Sequence, residues 1–120
     1  MKLNTDGSVC GNPSMAGCGG VIRNDRGLWF GGFSRRIGFT NSFIAELWGL
    51  REGLMLCCNL NIDSVIVELD ARAIVDAISN DRYVNNVISP VLDDCRCLIS
   101  RFHRILFKHC YREANRCADS

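Results

Sequence analysis

Four acids occupy positions where an isolated carboxylate would be costly. Asp6 lies in the middle of the alternating stretch KLNTDGSVC, and Glu46 lies in the apolar segment AELWGLREGL. Asp70 ends the β-branched run SVIVELD, and Asp119 stands one residue before the last. A half-buried carboxylate needs a partner, a hydrogen bond or a cation. Several that converge repel one another, and a hard divalent cation bound through oxygen is the usual remedy. Taken one at a time, Asp6 and Asp70 also read as strand-end or turn residues and Asp119 as a surface acid. Only the set of four points to a metal site. Histidine is the side chain whose ordinary pKa lies near neutrality; His109 is one of two here, and a strand-end histidine commonly bonds a backbone carbonyl. His103 reads as a surface residue.

These side chains need elements to position them. Residues 2–10 alternate as a strand, with Asn4, Asp6 and Ser8 on the face opposite Leu3, Thr5 and Val9. A Gly/Asn/Pro-rich loop, GNPSMAG, follows at 11–17, and 18–25 and 28–36 flank Arg26-Gly27 as a hairpin. Asn41 or Ser42 can cap a helix over 43–58, whose apolar positions form more than one stripe. Glu46, Gly49 and Gly53 fall near one line on it. The glycines admit a close backbone neighbour at a propensity cost of about 1 kcal/mol each. Residues 64–70 form the clearest strand. Helices follow over 71–79 and, with Pro90 in the first turn, over 89–103, then a strand over 105–111 and a last helix from REANRCADS. The order βββαβααβα is that of one mixed α/β domain over 1–120, with right-handed crossovers onto the meander.

Bulk properties exclude several classes. With 120 residues, 48% hydrophobic and 22% charged, the chain has globular rather than disordered composition. Its apolar runs fall short of the roughly 20 residues that span a bilayer, and its first nine residues lack a secretory core, so an intracellular protein without membrane association is expected, in nucleus or cytoplasm. The eight cysteines include no C-x-x-C pair. Within apolar periodic segments they read as reduced, mostly buried small hydrophobes. Net charge is only +1, but Arg96, Arg101, Arg104, Lys108, Arg112 and Arg116 cluster near the end with Glu113 as the one acid among them. That is either an electrostatic footprint for nucleic acid or the solvated face of a helix.

The motifs resemble a known family. TDGSVCGNPSMAGCGGVIRND, containing Thr5-Asp6-Gly7-Ser8 and Gly11-Asn12-Pro13, is similar to the first hairpin of type 1 ribonucleases H. AELWGLREGL resembles that family's first helix, VIVELDA its fourth strand, and KHCYREANRCAD its terminal His…Glu-x-Asn…Asp segment. The wording is nearest to the plant, retrotransposon-type (reverse-transcriptase-like) branch, and the likeness covers essentially the whole chain. It implies a ribonuclease H-like fold: a five-stranded mixed sheet, order 3-2-1-4-5, with helices on both faces and Asp6 beside Asp70. It implies hydrolysis of the RNA strand of RNA–DNA hybrids by a monomer using two Mg²⁺ ions, with Mn²⁺ able to replace them. Asp6 would bridge the ions, Glu46 and Asp70 would hold one, and Asp119 would complete the other. His109 matches a histidine that assists proton transfer and product departure. Gly11, Asn12 and Ser42 match substrate-contacting positions at the minor groove, where 2′-hydroxyls distinguish RNA from DNA.

Three departures qualify the likeness. Ser42 and Phe43 stand near the place of an Asn pair, and Phe43 cannot hydrogen-bond a base. The interval from Asp70 to Asp119 leaves no room for a basic protrusion. The last helix is expected to be truncated and frayed, which would loosen Asp119. Two other readings therefore stay open: a catalytically weak or inactive, retroelement-derived module that binds nucleic acid, and a protein-interaction domain built on the cysteine-rich helices.

Overall fold

Strand alternation in the first third of the chain becomes a three-stranded antiparallel meander in the computed structural model, which describes residues 1–10, 15–39, 42–69 and 89–109. β1 (Lys2–Cys10) pairs with β2 (Met15–Arg23), and β2 with β3 (Trp29–Phe39). The β2–β3 turn is closed from both sides by Asn24. Its N–H donates to Leu28 O at 2.9 Å, and its Oδ1 accepts from the N–H groups of Arg26 and Leu28 at 3.0 Å. Gly27 takes the positive φ of +79° that this turn needs.

Helix α1 (Ser42–Asn59) then carries the chain across the sheet to β4 (Ser64–Leu69), which runs parallel to β1. Its C-terminus is capped by a Schellman motif. The N–H of Ile62 donates to Cys57 O at 2.9 Å and that of Asn61 to Cys58 O at 3.1 Å, with Asn61 at φ 60°. Helix α2 (Ser89–Ile99) precedes β5 (Arg104–His109), parallel to β4, and the sheet order is β3-β2-β1-β4-β5, as expected. No described helix is long and apolar enough to cross a membrane.

One face of the sheet carries the core. Leu3, Ile22, Val65, Val67 and Leu69 lie under Leu47, Leu50, Leu54 and Cys57 of α1 and Leu92, Cys95 and Leu98 of α2. Each fully buried leucine contributes about 2 kcal/mol through area removed from water. Described cysteines are free thiols: Cys18, Cys57 and Cys95 are buried, Cys58 is half-buried and Cys97 is exposed. Burial pushes the Cys57 and Cys95 thiols up to about 12, so these positions act as small apolar groups, as their setting in apolar segments predicted.

Element ends differ from expectation in places. β2 begins at Met15 rather than Cys18, because Met15, Ala16 and Gly17 continue the backbone ladder opposite Cys10, Val9 and Ser8. Partner strands override their weak strand propensity. α2 stops at Ile99 rather than 103. Arg101 and Phe102 donate to carbonyls three residues back, Leu98 and Ile99, at 3.1 Å, and the Ser100 hydroxyl donates to Cys97 O at 2.6 Å. The tightened turns put Phe102 into the core. The helices expected over 71–79 and from 112 onward lie outside the described residues.

Candidate active site

Asp6 sits one residue before the point where α1 presses on β1. On one face of β1, Leu3 and Thr5 meet Gly53, and Gly7 meets the first turns of α1. Alternation therefore sends Asp6, with Lys2 and Asn4, to the opposite face. A β carbon at Gly7 would stand 2.4 Å from the carbonyl carbon of Ala45 and 2.5 Å from the backbone nitrogen of Glu46. Both are backbone atoms, so no side chain fits there. Gly49 supplies the next contact: a β carbon there would lie 3.3 Å from both Asp6 O and Cys18 Cβ. The line of Glu46, Gly49 and Gly53 thus seats α1 on β1, as its spacing suggested. It brings Glu46 to the level of Asp6.

Both acids are nearly excluded from solvent, each with 8% of its surface exposed. Among the described residues no basic side chain pairs with Asp6. The charge of α1 is felt at Cys18, which faces that helix from β2. Its thiol is pushed up to about 11, first by burial, then by the Glu52 carboxylate, with Glu46 adding and Arg35 opposing. Asp6 and Glu46 are two hard oxygen donors, each nearly buried, and among the described residues Asp6 has no cationic partner; such groups suit a divalent cation better than they suit a packed core. Among the described residues no group of three or more metal-ligating side chains forms. The described part of the site is this pair.

The other expected site residues are reached only by the backbone or not at all. β1 and β4 pair Lys2 with Ile66, Leu3 with Val67 and Asn4 with Glu68, and Leu69 is the last described residue of β4. Asp70, Asp119, Gly11 and Asn12 lie outside the described residues, as do the side chains of Ser42 and His109. The expected adjacency of Asp6 and Asp70 rests on those positions.

Two arrangements were not foreseen. On the Asp6 face, Asn4 is 5% exposed and its Nδ2 donates to Glu68 Oε2 at 3.1 Å, while Lys2 Nζ lies 3.4 Å from Glu68 Oε1. This row ties β1 to β4 just below Asp6. On the α1 face, the Trp48 ring is flanked by the guanidiniums of Arg35 and Arg51, 4.8 and 5.2 Å from its centroid. Both arginines pair with Glu52, and Arg51 Nε also reaches Asp94 Oδ2 at 2.9 Å. Phe43, a departure from the expected motif, packs against the core. The expected basic cluster is divided: Arg96 lies 3.7 Å from Asp93 on α2, whereas Arg101, Arg104 and Lys108 are exposed beyond it.

Comparison with known proteins agrees with this fold. A family described as reverse transcriptase-like matches residues 4–120. An Arabidopsis thaliana protein named "Putative ribonuclease H protein" is 37% identical over 119 residues, covering 99% of this chain, which in turn spans 19% of that protein's length. Among solved structures, the N-terminal RNase H domain of a Mycobacterium tuberculosis protein superimposes with a TM-score of 0.89 at 27% identity, covering 98% of this chain and 92% of that one. LC11-RNase H1, isolated from compost and crystallised with an RNA/DNA hybrid, gives 0.86 at 26% identity, covering 98% and 90%. The fold is that of the ribonuclease H domains.

Proposed function

Because this chain belongs to the reverse transcriptase-like family, we propose that it is a metal-dependent endonuclease that hydrolyses the RNA strand of RNA–DNA hybrids. The observation that carries this reading is that two nearly buried carboxylates, Asp6 and Glu46, sit on a strand and a helix whose backbones touch where Gly7 meets Glu46. The names of the relatives and the hybrid bound to LC11-RNase H1 support the substrate class.

Asp6, Glu46 and Asp70 would hold one Mg²⁺ ion, and Asp6 with Asp119 a second. Such a pair activates water and neutralises a leaving oxyanion in an in-line displacement. The scissile bond is that between phosphorus and the 3′ oxygen, which leaves 3′-hydroxyl and 5′-phosphate ends. Rigid placement is what the strand and helix that carry Asp6 and Glu46 contribute: their backbones are in contact, so neither backbone can draw away from the other. His109 would move a proton and ease product departure, and Gly11, Asn12 and Ser42 would line the minor groove of the hybrid.

The test is cleavage of an end-labelled RNA–DNA hybrid by the purified chain with Mg²⁺, beside Glu46→Gln and Asp70→Asn. RNA-strand cutting by the wild type alone, stopped by EDTA, supports the enzyme. A folded wild-type chain that binds hybrid without cutting it replaces the enzyme with a binding module, the reading that the core-packed Phe43 favours.

A further inference from the structure

We propose that the solvent-facing side of β2 and β3 is a docking surface for a single-stranded nucleic-acid segment flanking the hybrid, with Trp29 as its stacking platform; this rests on the hydrolytic reading above. Register fixes the membership of that face. Cys18, Ile22 and Arg35 point toward α1, so their neighbours point away from it. Arg23 and Trp29 are paired on the outer side, then Val21 with Gly32, Gly19 with Ser34, and Gly17 with Arg36.

Three features of this face converge on one ligand. First, Trp29 is 68% exposed yet held in place. A β carbon at Gly32 would lie 3.4 Å from its Nε1 and 3.7 Å from its Cζ2, so the indole rests along the strand where a side chain is missing. Second, the side chains that β2 and β3 present on this face include Arg23 and Arg36 and no acid. Arg36 is exposed on this face and makes no ion pair among the described residues. Third, the floor between Trp29 and Arg36 is mostly glycine and serine, and it leads to the site. Asp6 pairs with Gly19, which pairs with Ser34, so the row of Asp6 continues across the face. The row of Trp29 and Arg23 lies four residues along β2 from there, about 13 Å at 3.3 Å per residue.

An exposed ring above a flat basic floor suits stacked bases and phosphates. A single strand fits rather than a duplex, because only unpaired bases offer a free face to an indole. Leu28 and Phe30 are also exposed beside Trp29, but the arginines and the glycine floor that continue toward the row of Asp6 favour a nucleic acid over an apolar protein partner.

The test uses the full chain and two readouts. Binding of fluorescein-labelled oligouridylate without Mg²⁺ is measured by anisotropy for the wild type, Trp29→Ala, Trp29→Phe and Arg36→Ala. Cleavage is then compared between a blunt hybrid and the same hybrid carrying a 5′ or a 3′ single-stranded RNA tail. Trp29→Ala is expected to weaken oligouridylate about tenfold, the size of one base–aromatic stack. Trp29→Phe is expected to recover most of this, and Arg36→Ala to flatten the salt dependence. A tail at one end should lower KM for the wild type, and Trp29→Ala should remove that gain while cutting blunt hybrid normally. Equal binding by wild type and Trp29→Ala overturns the proposal, and so does a wild type indifferent to both tails. Failure of the wild type to cut even blunt hybrid defeats the hydrolytic reading instead, and the oligouridylate measurement still decides this one.

Discussion

The backbone nitrogen of Glu46 occupies the space that a side chain at Gly7 would need, 2.5 Å from where its β carbon would stand. Gly7→Ala must therefore push α1 away from β1. We expect a loss of about 2–3 kcal/mol, typical of overpacking, seen as a lower urea midpoint. Cleavage should fall further than stability does, because the shift separates the two acids. A variant of normal stability and activity would refute the contact.

Glu46→Gln keeps the size of the side chain and removes its charge. Stability without metal should be unchanged or slightly raised, since a buried anion is gone. Adding Mg²⁺ should raise the Tm of the wild type and leave that of the variant nearly unmoved. An equal rise in both would place the cation elsewhere.

Asn4→Leu removes the amide donor to a largely buried carboxylate, leaving it with the half-exposed Lys2. Chemical denaturation should show a cost of about 1–3 kcal/mol. Lys2→Ala, which removes only the half-exposed partner of the same carboxylate, should cost below about 1 kcal/mol. The reverse ranking would mean that the ion pair, not the amide, joins the strands.

Buried thiols make stability fall with alkali. Below pH 9 the thiols are protonated in both folded and unfolded chains, so they contribute no slope. Above it the unfolded chain releases protons that the fold retains, with Cys18 at about 11 and Cys57 and Cys95 at about 12. Stability should decline from pH 9 toward 12, and Cys18→Ala should flatten the early part of that decline in urea midpoints measured against pH. In alkylation at pH 8, exposed Cys97 should react well before those three.

Much of this was legible in the residues. Alternation around Asp6 gave its strand and its face, and the apolar run with Gly49 and Gly53 gave α1 and its seat. Partners were harder. Nothing local to Gly7 says that Ala45 and Glu46 will touch it, and alternation assigns Asn4 a face without saying that Glu68 is opposite. Trp48 read as one apolar position among several, because its contact with Arg35 depends on β3 and α1 meeting. Weak strand formers hid the start of β2 at Met15, where pairing with β1 decides the matter. Asp70, Asp119 and the His109 side chain remain expectations drawn from sequence.

The pairing of β1 also bears on how the chain reaches its native state. Its antiparallel neighbour arrives after one short connection, whereas its parallel neighbour, joined at Asn4 and Glu68, must be brought back across 64 residues. Closing that larger loop is the entropically slower step. The meander can form early, but the β1–β4 seam beside Asp6 is completed only when the long-range half of the sheet closes.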